Sequence, residues 1–355
     1  MYKVADSQAR IPKAIGHPHV LHSCCIMLRA TRQLRKNMPP KPINLILDWD
    51  GTITVKDTMF AYGKIADTRD ARLGRGLNGS KMFEGFGKAW MDDYSRHEQA
   101  YTLKAHGRKI VTQESAWLKS LSSVETSSAE RVEESGFFTG VTYGDVSTTA
   151  KELLESGDVM LRPGWRDLFL RAQGSSCPRS VHNISILSVN WSESLIRASL
   201  KVAAESSCPD GRLQSLIDHL PIAANEISGL QQPRGSSGHL TDAKHAVIRT
   251  SFDKLQNFAA HEGSINIYVG DSATDFDCLL AADLGICIRD DPMGSSAKTL
   301  AETMSRMDYA VQHVNDLDIL QDLSMSNPNL VWAHDLNEVV KLLDRLQGQP
   351  ANSQL

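Results

Sequence analysis

The stretch Ile43-Asn44-Leu45-Ile46-Leu47-Asp48-Trp49-Asp50-Gly51-Thr52-Ile53-Thr54 passes from apolar to acidic at Asp48. Its first five residues are almost wholly apolar and follow Pro42, the pattern of a short strand buried on both faces of a parallel sheet. Residues two apart on an extended backbone face the same side, so Asp48 and Asp50 converge on one point at the strand end. Gly51 permits a sharp turn out of the strand. Two carboxylates placed together repel, so either a cation joins them or one of them holds a proton. Both conditions suit phosphoryl transfer, in which one carboxylate attacks phosphorus and the other protonates the leaving oxygen. The plainer alternative is a turn that uses Asp and Gly for their conformations alone.

Working outward, similar apolar runs recur at Ile184–Val189, Ile265–Val269, Leu284–Ile288 and Leu330–Ala333. Helical patterns stand at Ser194–Ala203, Asp242–Phe258, Thr274–Ala282 and Leu336–Leu346. Such alternation predicts an α/β fold with a doubly wound, mostly parallel sheet. From Met59 to Asp158 the rhythm breaks: the segment is rich in Trp, Tyr and charged residues and reads as mainly helical, with Ser120–Glu134 a loop or a solvated helix. A helical insert after the first strand is expected to cap a site at the strand ends. The expected organisation is therefore a basic leader over 1–42, a core over 43–58 and 159–347, a cap over 59–158 and a tail over 348–355. Phe83, Phe86, Trp90, Tyr94 and Arg96 are candidate cap contacts to a substrate, unless the aromatics only form the cap's own small core.

Three further constellations lie where chemistry is expected. Gly270-Asp271-Ser272-Ala273-Thr274-Asp275 follows a buried run, and Asp271 and Asp275 can offer the hard oxygens that Mg²⁺ prefers. Helix capping alone would also account for aspartates there. Ser188 ends the run Ile184–Ser188, with Asn190 just beyond, and a hydroxyl beside N–H groups at a helix start suits a phosphate oxygen. Lys244 falls in the first turn of a helix that Thr241 or Asp242 could cap. A cation there opposes the helix dipole, which an external anion would rationalise; an exposed lysine pointing to water is the alternative.

In this order the four pieces resemble the motifs of the haloacid dehalogenase superfamily: DxDGT, a Ser or Thr at a strand end, a Lys, and GDxxxD. The resemblance covers about Ile43 to Leu346. It implies a Rossmann-like core, with Asp48 as nucleophile and Asp50 as general acid and base. It implies that Ser188, Asn190 and Lys244 hold the phosphate. Mg²⁺ would be bound by Asp48, the backbone carbonyl of Asp50 and Asp271, with Asp275 in support. Within the superfamily, Ile186–Trp191, Ala224-Asn225-Glu226 and Tyr268–Ser272 look similar to the phosphatase half of plant-type thiamin monophosphate phosphatase, although Trp49 stands where Phe is usual. The activity expected is hydrolysis of a small phosphorylated metabolite. A phosphomutase or other phosphotransferase, or a non-catalytic binder of a phosphorylated ligand, are the alternatives. Dehalogenation needs neither a metal nor a second acid, so the pairing of Asp50 with Asp271 speaks against it.

The 355 residues suffice for such a core and cap, and the formal net charge of −4 gives no reason to expect nucleic acid or an anionic membrane as partner. No apolar run approaches the roughly 18 residues that span a bilayer. Six scattered cysteines without a CxxC pair fit reduced thiols in a cytoplasmic protein. The expected assembly is a monomer or homodimer. Up to Pro42 the single acidic residue is Asp6 among eight Lys and Arg. That composition suits a mitochondrial transit peptide, a disordered tail, or an extension upstream of a start at Met38.

Overall fold

The structure is a computed structural model that describes residues 41–171, 181–207, 211–240, 247–317 and 329–347. The leader expected over 1–42, apart from its last two residues, the tail over 348–355, and Lys244 lie outside these residues. Seven strands form one all-parallel sheet. They are β1 (Ile43–Leu47), β2 (Val181–Leu187), β3 (Ile222–Ala223), β4 (Ile265–Gly270), β5 (Leu284–Ile288), β6 (Gln312–His313) and β7 (Asn329–Ala333). Their spatial order is β3-β2-β1-β4-β5-β7-β6. The order reverses beside β1, which makes its carboxyl end a switch point where ligands bind in such sheets.

Every residue of β1 is buried, and the pleat sends neighbours to opposite faces. On one face Leu45 and Leu47 join Ile186, Ile267 and Val269 beneath α6 (Trp165–Arg171), α7 (Glu193–Ser207), α8 (Arg212–His219) and α12 (Leu336–Leu346). On the other, Ile46, Leu187 and Tyr268 pack with Phe276, Leu279, Leu300 and Met304. Those last four stand on α10 (Phe276–Ala281) and α11 (Ser295–Arg306). This two-sided burial is why the strands read as continuous apolar runs.

One expected helix is shorter than the pattern suggests. Of Asp242–Phe258, residues 242–246 lie outside the described set, 247–250 are irregular, and α9 spans only Ser251–Gln256. Thr250 and Asp253 close a reciprocal capping box at its start, which satisfies two N-terminal donors and fixes the helix there. Of Ser120–Glu134, expected as a loop or a solvated helix, Ser122–Glu134 is helical but not solvated all round, since Val124, Ser128, Ala129 and Val132 are buried along one face.

The insert contains α1 (Ala61–Arg72), α2 (Gly79–Ala100), α3 (Val111–Ser120), α4 (Ser122–Glu134) and α5 (Tyr143–Ser156). Tyr62, Ile65, Phe137, Phe138, Val146 and Leu153 build a second apolar cluster that also takes in Leu195 and Ala198 of α7. The chain enters and leaves the insert side by side. Val55 N donates to Met160 O (2.9 Å) and Arg162 N to Ile53 O (2.7 Å), around an antiparallel bridge between Thr54 and Leu161. Helix α3 is bound differently from the rest of the insert. Its Trp117 and Leu118 join the cluster of Ile46 and Tyr268. Its buried Glu114 is clamped by Arg108 (2.8 Å) and by Arg306 of α11 (2.6 Å), and Ser115 Oγ donates to Asp277 Oδ1. Among the described residues no helix is long and apolar enough to cross a membrane.

Candidate active site

Register places the site. Leu47 pairs with Ile186 on one side and Val269 on the other, so Asp48, Ser188 and Asp271 leave three adjacent strands at the same edge. Asp48 N still donates to Val269 O (2.9 Å). Beyond it Asp50 is extended and Gly51 turns at φ 69°. A Cβ on Gly51 would also sit 2.4 Å from Asp271 Oδ2, so glycine serves both the turn and the close approach of Asp271. Arg162, buried behind the turn, donates to Gly51 O (2.7 Å) and Thr52 O (3.0 Å), and pairs with Asp290 (2.5 Å).

Asp48, Asp271 and Asp275 each present a carboxylate oxygen within 4.8 Å of one another. They differ in how much of their bonding capacity is used. Asp275 Oδ1 accepts from Lys254 (2.6 Å) and Tyr268 (2.7 Å), while its Oδ2 accepts from the N–H groups of Asp271 and Ser272 (3.0 Å each) and from Ser272 Oγ (3.1 Å). It is satisfied by protein, and Gly270 makes room for it, since a Cβ there would lie 2.4 Å from its carboxyl carbon. Asp271 Oδ1 accepts from Thr52 Oγ1 (3.1 Å). Asp48 Oδ1 lies 2.9 Å from Lys254 Nζ at ion-pair distance but without hydrogen-bond alignment, and has no hydrogen-bond partner among the described residues. Under-used oxygens on Asp48 and Asp271, backed by a saturated Asp275, fit a hard divalent cation such as Mg²⁺. One lysine against four carboxylates, counting Asp50, leaves negative charge that such an ion would balance.

Lys254 is not among the residues expected at the site from the sequence. It is wholly buried on α9, four residues past the Thr250 cap, and bridges Asp48 and Asp275. Burial alone would lower its pKa, but the carboxylates of Asp275 and Asp48 outweigh burial and hold it above the usual lysine range. Burial pushes the Asp48 carboxyl up to about 7, with Asp275 adding to the rise, Lys254 opposing it and Asp50 adding further. Asp271 is raised well above its ordinary value, by burial first and then by Asp275 and Asp48.

Asp50 turns into a separate pocket of donors. Its Oδ1 accepts from Thr58 N (2.7 Å) and Thr58 Oγ1 (2.5 Å), and its Oδ2 from Asn190 Nδ2 (2.8 Å). Burial raises its pKa against the opposing pull of Asn190 and Thr58. Buried Trp49 adds an indole N–H to Thr58 Oγ1 (3.2 Å). Asn190, expected to face phosphate, instead spends its amide donor on Asp50 and on Thr58 Oγ1 (3.3 Å), while its Oδ1 accepts from Tyr62 OH. Ser188 is fully buried at the strand end, and its Oγ accepts from Asn190 N (3.2 Å). Asn225 ties this loop to the segment before α9. Its amide donates to Val189 O (3.1 Å), Asn190 O (3.1 Å) and Ile248 O (2.7 Å).

No family model matches the chain. Among curated proteins it is similar to a CTO1 family protein of Schizosaccharomyces pombe, 26% identical over 175 residues. That match takes in 47% of this chain and 58% of the relative, so the chain spans little more than half the relative's length. Among solved structures it is similar to a phosphoserine phosphatase holding a phospho-aspartyl intermediate analogue, at 14% identity and TM-score 0.43, over 85% of this chain and 98% of that one. It is also similar to a phosphoserine phosphohydrolase-like protein of Francisella tularensis, at 14% identity and TM-score 0.39, over 84% and 98%.

A cavity of about 350 Å³ opens between the insert and the strand ends. Asp57, Val189 and Thr274 line it from the site loops, and Phe83, Phe86 and Trp90 from α2. Of the other proposed cap contacts, Tyr94 stacks on Trp90 and meets Trp117 edge-on, and Arg96 pairs with Asp93 at the surface.

Proposed function

We propose that the chain is a Mg²⁺-dependent phosphomonoester hydrolase that acts on a small phosphorylated metabolite through a phospho-aspartate on Asp48. The observation that carries this reading is Lys254 lodged between Asp48 and Asp275, with Asp50 and Asp271 drawn to the same strand end. Asp48, the Asp50 carbonyl and Asp271 would hold the metal, which supplies Lewis-acid neutralisation of phosphate charge. Lys254 holds the nucleophile and screens its approach to an anionic substrate. An Asp48 oxygen attacks phosphorus in line as the ester P–O bond breaks, and Asp50 gives a proton to the departing oxygen. Water then attacks the phospho-aspartate, Asp50 takes its proton, and the bond to Asp48 breaks to release phosphate. A raised Asp50 pKa suits that shuttle, since the proton must be present in one step and absent in the next. Thr58 and Asn190 fix the carboxyl that does so. Thiamin monophosphate is one candidate substrate.

The test is acid-quench trapping of labelled phosphate during turnover of a metabolite panel with Mg²⁺. Label recovered on the peptide carrying Asp48, and lost in Asp48→Asn, supports the reading. Turnover without any trapped label in wild type points to direct attack by water and sinks it.

A further inference from the structure

We propose that the substrate's alcohol carries a flat aromatic or heteroaromatic ring with a polar group at its edge, bound in the cavity between α2 and the loop bearing Trp191; this rests on the phosphatase reading above. Phe83, Phe86, Gly87 and Trp90 all line that cavity. They stand at helical spacings of three and four, and so form one stripe of α2. Trp191 faces them from the core, its ring 6.0 Å from that of Phe83 at 77°. The four rings are half-buried rather than sealed. Phe86 packs edge-on against Phe137 of the insert's own core, so the aromatics serve that core and wall the cavity as well.

Gly87 is the informative residue. Glycine is a poor choice inside a helix of 22 residues. A Cβ there would meet nothing within 4 Å, so no neighbour forces the choice. Its effect is a gap in the middle of an aromatic stripe. A space of about 350 Å³ is of small-molecule size, and ring walls favour a flat partner that stacks or packs edge-on. A compact zwitterion such as phosphoserine would leave the rings wet. The charged residues on the wall are Glu125, Arg249 and Asp57. Glu125 accepts from Trp90 Nε1 (2.9 Å), and Arg249 donates to Thr126 Oγ1 (3.1 Å). Having both signs, they suit a ring edge that both donates and accepts. Val189, Thr274 and Asp57 on its wall adjoin Ser188, Asp275 and Thr58 in the chain, so the cavity opens beside the loops that carry the site.

The experiment compares kcat/KM for naphthylmethyl and benzyl phosphate with propyl phosphate and phosphoserine. All are esters of primary alcohols, so ring binding is not confused with a better leaving group. The ring esters should lead propyl phosphate by about tenfold or more, a usual scale for apolar pocket discrimination. Gly87→Leu, which fills the gap, should cut that ratio by about tenfold, and Gly87→Ala should cut it less. In parallel, naphthylmethanol should quench tryptophan fluorescence saturably in wild type and not in Gly87→Leu. Turnover without ring preference and without saturable quenching overturns the inference and leaves the phosphatase reading standing. Saturable, Gly87-dependent quenching without turnover of any ester upholds the ring site and overturns the phosphatase reading. Absence of both overturns both.

Discussion

Lys254 Nζ stands 2.6 Å from Asp275 Oδ1, with both side chains wholly shut off from water. The pair ties α9 to the loop after β4 and aims the lysine at Asp48. Removing one partner of a buried pair strands the other charge. Lys254→Ala should therefore cost about 3–5 kcal/mol in urea denaturation and lower kcat by about a hundredfold or more. Lys244→Ala should leave both quantities near wild type. An inactive Lys244→Ala beside an active Lys254→Ala would reverse the assignment.

Asp48→Asn should abolish turnover while the metal-free protein melts no lower than wild type. The amide is a poor nucleophile and a weak metal ligand. Its carboxylate neighbours lose a source of repulsion, and Lys254 keeps Asp275. Calorimetry without metal and a steady-state assay with Mg²⁺ together check this, and full activity in the purified variant would refute the nucleophile.

The raised acids give the metal-free protein an unusual pH dependence. Asp48 has a folded value of about 7 against an ordinary 3.8, so the folded state binds more protons than the unfolded one between these limits. Stability is then lost as pH rises through that window, by up to about 1.4 kcal/mol per pH unit for each such group. Asp50 and Asp271 are shifted in the same direction. With EDTA, thermal midpoints should fall from about pH 5 to pH 7, and less steeply in Asp48→Asn. With Mg²⁺ the fall should shrink or reverse, because the ion competes with those protons. Identical profiles with and without the ion would remove the metal from the proposal.

Arg162 holds two carbonyls of the turn after Asp48 from behind. A lysine cannot reproduce that fork. Arg162→Lys should cost about 2 kcal/mol of stability, the scale of hydrogen bonds to a charged group, and lower kcat more than it raises KM. Unchanged kcat in a fully folded variant would show that the turn holds itself.

Much of this could be read from the residues. Burial on both faces makes each long strand an apolar run, and Leu336–Leu346 matches α12 because its apolar period is unbroken. Asp48, Asp50 and Asp271 stand out because carboxylates gathered directly after buried runs repel unless a cation or a proton joins them. Lys254 is hidden by a helix pattern that runs across an irregular stretch, and that pattern draws the expected cation toward its start at Asp242. The signal was present further on, as Thr250-Ser251-Phe252-Asp253 is itself a capping box that puts Lys254 just inside a helix. The bonds of Asn190 to Asp50 and Tyr62 join residues 140 and 128 positions apart, and no local pattern encodes them. The cavity is equally non-local, although Gly87 amid aromatics was a local trace of it.

The adjoining entry and exit of the insert at Thr54 and Leu161 are what a detachable module would have: cut there, the remaining chain could be rejoined by a short loop. Helix α3 cancels that freedom. Excision would uncover the apolar ground beneath Trp117 and leave Arg306 without its buried carboxylate partner. A graft from another protein would therefore need a replacement for α3 as well as compatible ends. A transplant that keeps Arg108–Leu121 of this chain and exchanges the helices around the cavity would also have to restore the contacts of Tyr94 and His97 with Trp117. In this protein α3 anchors the insert to the core, whichever helices wall the cavity.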